Sequence, residues 1–101
     1  VYLSGFDELY MPKCISVDKS GIADNASLRK INLPVCNTVN GMNNNHQLQE
    51  VNLPKCTSAG DYAFTGDYSL TNLTISSNCT FGTNCFSACY NLEPHPDGTD
   101  T

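Results

Sequence analysis

Six cysteines, two histidines and a surplus of acids are the side chains here that could carry chemistry. Cys79, Cys85, Cys89 and His95 are ligand types that zinc accepts. Their spacings of six, four and six residues match no finger pattern, so a metal is not expected. The same three thiols leave open one disulfide among them. Nucleophilic catalysis finds little to work with. His46 sits in an Asn-rich segment and His95 near the end, and neither has a Ser or Cys nucleophile close by in sequence. No glycine-rich loop is built to cradle a phosphate. Asp61 and Asp67 fall in two Gly-Asp-Tyr triplets (60–62 and 66–68), whose spacing does not support a calcium loop. The chain therefore reads as a non-enzyme without cofactor or metal.

The cysteines gain meaning from their period. FDELYMPKCISV (6–17), LRKINLPVCNTV (28–39), LQEVNLPKCTSA (48–59) and LTNLTISSNCTF (70–81) are copies of one unit. Their first residues, Phe6, Leu28, Leu48 and Leu70, are followed by Leu92, at spacings of 22, 20, 22 and 22. A fixed period of this size marks a solenoid. Residues 1–92 are assigned to it, with residues 1–5 completing or imitating a preceding turn. EPHPDGTDT (93–101) offers no apolar partner and reads as a polar tail, a linker or the start of a cap.

Within each unit apolar residues alternate with polar ones: Leu9/Met11, Ile31/Leu33, Val51/Leu53 and Leu73/Ile75. That is the period of a half-buried strand. Strands repeated once per turn in one direction must pair in parallel, about 4.8 Å apart. Pro12, Pro34 and Pro54 close three of them, since proline cannot donate to the ladder. The ninth place holds Cys14, Cys36, Cys56 and then Asn78. These small hydrogen-bonding side chains are expected to stack inward as a ladder that satisfies the loops of adjacent turns. In the return segments Cys85 takes the small inward place of Ala63, while Asp67 and Cys89 are placed nearer the surface. The second return segment is two residues short and rich in asparagine (Asn40, Asn43, Asn44, Asn45), which suits a tight irregular loop. Three Asn-X-Ser/Thr triplets, at Asn25, Asn72 and Asn78, are read as chance.

Charge narrows the partners. The net charge is −5 with a pI near 4.6, which removes the basic footprint of a nucleic-acid binder and disfavours anionic membranes. No stretch of 18 apolar residues could span a bilayer. The chain opens Val1-Tyr2-Leu3 with no signal peptide, and reads as a piece of a longer protein. Strand residues that alternate with the buried ones form two outward columns. One is Tyr10, Asn32, Asn52 and Thr74; the other is Glu8, Lys30, Glu50 and Asn72, with Asp7 beside Arg29. The sheet is either a hydrated surface whose charges neutralise one another or a polar platform for a protein or glycan ligand. Amides meet sugar hydroxyls as donor and acceptor, and Tyr10 offers a stacking surface. Uncapped terminal turns would also permit end-to-end self-association.

The unit LxxIxLPxCxxV, with INLP at 31–34 and VNLP at 51–54, resembles the leucine-rich repeat of the BspA-like (Treponema-type) bacterial surface antigens. AFTGDYSL (63–70) and CFSACYNL (85–92) are similar to that subclass's AFxxCxxL, with Asp67 replacing one return-segment cysteine. The resemblance spans about residues 6–92. It implies a right-handed leucine-rich-repeat solenoid of four to five repeats. A short parallel β-sheet would line the concave face, and the convex side would be irregular or carry short strands or short helices. It also implies an extracellular or cell-surface binding and adhesion role within a larger bacterial protein. Spacer repeats without a ligand, or an accessory binding module of a multidomain enzyme, are the alternatives.

Overall fold

The computed structural model describes residues 7–99. Phe6, which opens the first repeat, and residues 1–5 lie outside that range. Each repeat contributes two short strands. The first of each pair are β1 (Glu8–Tyr10), β3 (Lys30–Asn32), β5 (Glu50–Leu53) and β7 (Asn72–Ile75). The second are β2 (Ser16–Val17), β4 (Thr38–Val39), β6 (Ser58–Ala59) and β8 (Thr80–Phe81). They form two sheets, β1-β3-β5-β7 and β2-β4-β6-β8, with every pairing parallel. Four rungs of each sheet enclose three complete turns of a β-solenoid, and no helix occurs among the described residues. The second side is thus made of two-residue strands and turns.

Alternation decides which side chains go in. Ile31 stands over Val51 and Val51 over Leu73, with Leu33, Leu53 and Ile75 in the next inward column. Leu28, Leu48, Leu70 and Leu92 line the corner ahead of the first sheet, and Ile22, Met42, Phe64 and Phe86 fill the return side. Phe64 and Phe86 stack with centroids 5.1 Å apart, and Phe81 meets Phe86 edge-on at 5.3 Å. Each turn buries its apolar face only against its neighbours, the reason such units occur in stacks.

The shortened second return segment works through one glycine. Gly41 passes so close beneath the first turn that a Cβ there would stand 2.0 Å from Ser20 N and 2.5 Å from Asp18 O. The longer return segments instead kink at Ser20, Tyr62 and Asn84, all with φ near 55–60°. A second left-handed residue recurs in every turn: Asp24, Asn44, Gly66 and Ala88. Asn, Asp and Gly tolerate that conformation, while Ala88 is strained there.

Residues 93–99 pack more closely than their composition suggests. Contrary to the expectation that 93–101 lacks an apolar partner, His95 is only 6% exposed and lies 5.9 Å from the Phe86 ring. Its Nε2 is 3.1 Å from Cys89 O and its Nδ1 3.1 Å from Thr99 Oγ1. Residues 93–99 therefore fold back over the last turn, with His95 as the plug.

Candidate functional site: two polar ladders and an exposed sheet face

Two columns of hydrogen-bonding side chains run through the interior, and they differ from the sequence reading in instructive ways. In the first, the thiols of Cys14, Cys36 and Cys56 donate to the carbonyls two residues on, Ser16, Thr38 and Ser58, at 3.4–3.5 Å. The expected cysteine ladder is present, but each thiol bonds mainly within its own turn. Its fourth rung is Cys79, not Asn78, which is exposed. Cys79 Sγ donates to Thr80 O at 3.5 Å. The reason lies in the turn. Leu33 and Leu53 start turns closed by Cys36 N and Cys56 N, with Pro34 and Pro54 at the second position that proline favours. The fourth repeat has Ser76 there instead. Its turn starts one residue later and closes from Cys79 N to Ser76 O at 3.1 Å.

The second ladder was not foreseen. Asn25, Asn45, Asp67 and Cys89 each stand three residues before a repeat-opening leucine, and all four are fully buried. Asp67 and Cys89 are thus interior residues, not near-surface ones as expected from the sequence. Asn45 belongs to the core, not to an irregular asparagine loop. The logic of one rung is clear at Asn45. Its Oδ1 accepts the Asn25 backbone N–H at 3.0 Å and the Asn25 Nδ2 at 3.2 Å. Its own Nδ2 donates back to Ile22 O (2.9 Å) and Met42 O (3.1 Å). Asp67 repeats half of this: Oδ1 accepts the Asn45 N–H at 2.9 Å, while Oδ2 has no partner. Cys89 repeats the other half, donating to Phe64 O at 3.0 Å. Burial raises the Asp67 carboxyl well above the usual carboxylate range, only partly offset by the Asn45 N–H. A neutral acid is what this position can hold, because a carboxyl proton restores the donor that Asn45 and Cys89 supply.

The four buried thiols are poor nucleophiles. Burial pushes Cys36 and Cys56 up to about 11 and Cys85 and Cys89 up to about 12. The thiolate is the reactive form, so these are structural cysteines. No disulfide links any of the six, and Cys79, Cys85 and Cys89 occupy three different columns. No cluster of three metal-binding side chains occurs among the described residues. Of the histidines, His46 stacks on Tyr68 and His95 is the buried plug.

The exposed face of the first sheet carries the candidate binding residues in the register expected. Glu8, Lys30, Glu50 and Asn72 are mutual partners across the four strands, as are Tyr10, Asn32, Asn52 and Thr74. Lys30 Nζ lies 3.4 Å from Glu50 Oε2, the one ion pair among the described residues. Glu8 is exposed at the open end of its column. Asn52 Nδ2 donates to Asn32 Oδ1 at 2.8 Å, and Asn32 Nδ2 and Asn52 Oδ1 are not used by that bond. Tyr10, 57% exposed, closes one end of this column and Thr74 the other. Asp7 and Arg29 meet through the backbone, Arg29 N–H to Asp7 O at 2.8 Å.

Parallel rungs, an interior of stacked equivalent residues and one polar sheet face define a repeat solenoid. The family description that fits is the BspA type leucine rich repeat region, matching residues 4–93 in six copies. The chain belongs to that family. Comparison with curated proteins and with solved structures finds no match. Repeats of this family are commonly surface-associated and generally non-catalytic.

Proposed function

We propose that this chain is a non-catalytic binding or adhesion module of a larger bacterial surface protein. The concave polar sheet meets a protein or glycan ligand through Glu8, Tyr10, Lys30, Asn32, Glu50, Asn52, Asn72 and Thr74. The observation that carries this reading is the Asn32–Asn52 pair. Two amides held in register by a rigid sheet keep one donor group and one acceptor free at fixed separation, beside an exposed tyrosine ring. Pre-set polar groups of this kind lower the ordering cost of binding. The Lys30–Glu50 pair contributes little to stability at about 0–1 kcal/mol, so its charges remain available for a ligand. Screening the chain against glycan and host-protein arrays tests the proposal. A hit that weakens at least several-fold in Asn32→Ala/Asn52→Ala, with an unchanged melting temperature, supports it. Absence of any hit, or hits indifferent to both changes, leaves the spacer reading in its place.

A further inference from the structure

Outside the sheet face, a separate feature sits at the C-terminal end of the solenoid. His46, Tyr68 and Tyr90 each directly follow a buried ladder residue (Asn45, Asp67, Cys89), so the ladder fixes their register. The rings form an exposed stack: His46 and Tyr68 are 4.2 Å apart at 11°, Tyr68 and Tyr90 5.5 Å apart at 23°. Among the described residues the stack ends at Tyr90, which is 62% exposed. Tyr68 covers one face of that ring. Tyr90 also lines a cleft of about 780 Å³ with Leu92, Glu93, Pro94, His95 and Thr99. A ring placed on Tyr90 would continue the column by one more rung.

What chemistry fits is set by charge. Residues 1–55 hold five Lys/Arg and five Asp/Glu; residues 56–101 hold five Asp/Glu and no Lys or Arg. The whole net charge of −5 therefore resides in the half that carries the cleft. Asp67 is buried away from it, and Asp100 lies outside the described residues. Glu93 lines the cleft, and Asp97 Oδ1 accepts the N–H of the lining residue Thr99 at 3.0 Å. His95 is tied to Cys89 O and Thr99 and so is spent on structure. An exposed aromatic face beside an unpaired carboxylate is the arrangement that attracts an organic cation, guanidinium above all, because the group is planar and weakly hydrated. The volume exceeds one guanidinium and admits a side chain with its flanking backbone.

We propose that this cleft takes an arginine side chain from a basic peptide segment, stacked on Tyr90 and paired with Glu93. The site is distinct from the sheet face and does not depend on it. The test is an amide-resolved NMR titration of the chain with acetyl-Gly-Arg-Gly-amide, with the citrulline peptide as uncharged isostere and maltotriose as neutral sugar. The arginine peptide is expected to shift Tyr90, Glu93 and Thr99 and to weaken with added salt. Tyr90→Phe keeps binding. Tyr90→Leu weakens it about 5- to 30-fold, the range of a partly desolvated cation–π contact. Glu93→Gln weakens it about 2- to 5-fold and flattens the salt dependence. No shifts with the arginine peptide overturn the proposal. So do equal binding of the citrulline peptide, shifts at Tyr90 from maltotriose instead, or indifference to Tyr90→Leu.

Discussion

Asp67→Asn should make this protein more stable at neutral pH and should abolish most of its pH dependence. Asp67 is fully buried, its Oδ1 holds the Asn45 N–H at 2.9 Å, and its Oδ2 is the one buried side-chain oxygen or nitrogen without a partner among the described residues. At the equivalent place in the preceding turn, the Asn45 amide donates to two carbonyls. An asparagine at 67 can donate likewise to the corresponding carbonyl of Met42. Leaving a buried polar atom unsatisfied costs about 1–3 kcal/mol, which the substitution recovers. The same cost appears as a pH effect, because below the folded pKa the carboxyl proton supplies the missing donor. Burial raises the folded-state pKa above the unfolded value, so stability is fully present below the unfolded pKa and is lost as pH rises through the folded one. Above about pH 4, the unfolded value of an aspartate, the loss runs at about 1.4 kcal/mol per pH unit until the folded pKa is passed. Each kcal/mol moves Tm by about 4–8 °C in a domain of this size. Thermal unfolding followed by circular dichroism from about pH 4.5 upward to neutrality reads both effects. The native chain should lose Tm across that interval and Asp67→Asn should stay nearly level. Parallel curves, or a variant less stable at neutral pH, would refute the reasoning.

Other residues give independent checks. Gly41→Ala must push Cβ into the Ser20 and Asp18 backbone, and chemical denaturation should show a loss of about 1–3 kcal/mol, the range for overpacking. Ala88→Gly relieves a left-handed backbone at φ 62° and should raise stability by about 1 kcal/mol in the same experiment. Cys36→Ser keeps the donor to Thr38 O, whereas Cys36→Leu is too large and has none, so the leucine variant should melt lower. Equal melting temperatures would contradict the ladder. In native thiol titration near pH 8, Cys14 and Cys79, both half-buried, should react ahead of the other four. Cys36, Cys56, Cys85 and Cys89 should react only on unfolding, because burial pushes them up to about 11–12.

The sheet was legible because its signal is purely periodic. Alternation around Ile31, Val51 and Leu73 fixes both the inward face and the outward columns, and one period fixes register across the strands. The fourth rung of the cysteine column was misread because counting places cannot see where a turn begins. The missing proline at Ser76 was the physical clue. The second ladder escaped for a different reason: its members are chemically unlike, two amides, a carboxylic acid and a thiol. Their common feature is a buried place between turns where each bonds to the neighbouring turn, and the constant three-residue offset from Leu28, Leu48, Leu70 and Leu92 was its trace. His95 could not be placed from sequence, since nothing in EPHPDGTDT marks which residue turns back onto Phe86. Whether the exposed columns meet a ligand is likewise a property of the partner's surface.

Everything about surfaces depends on equivalent residues of successive turns lying side by side. Inter-strand nuclear Overhauser contacts among Ile31, Val51 and Leu73, and among Asn32, Asn52 and Thr74, measure that directly. The account predicts parallel-sheet contacts in this register, Ile31 to Val51 and Val51 to Leu73. Antiparallel cross-peaks, or a register offset by one residue, would contradict it.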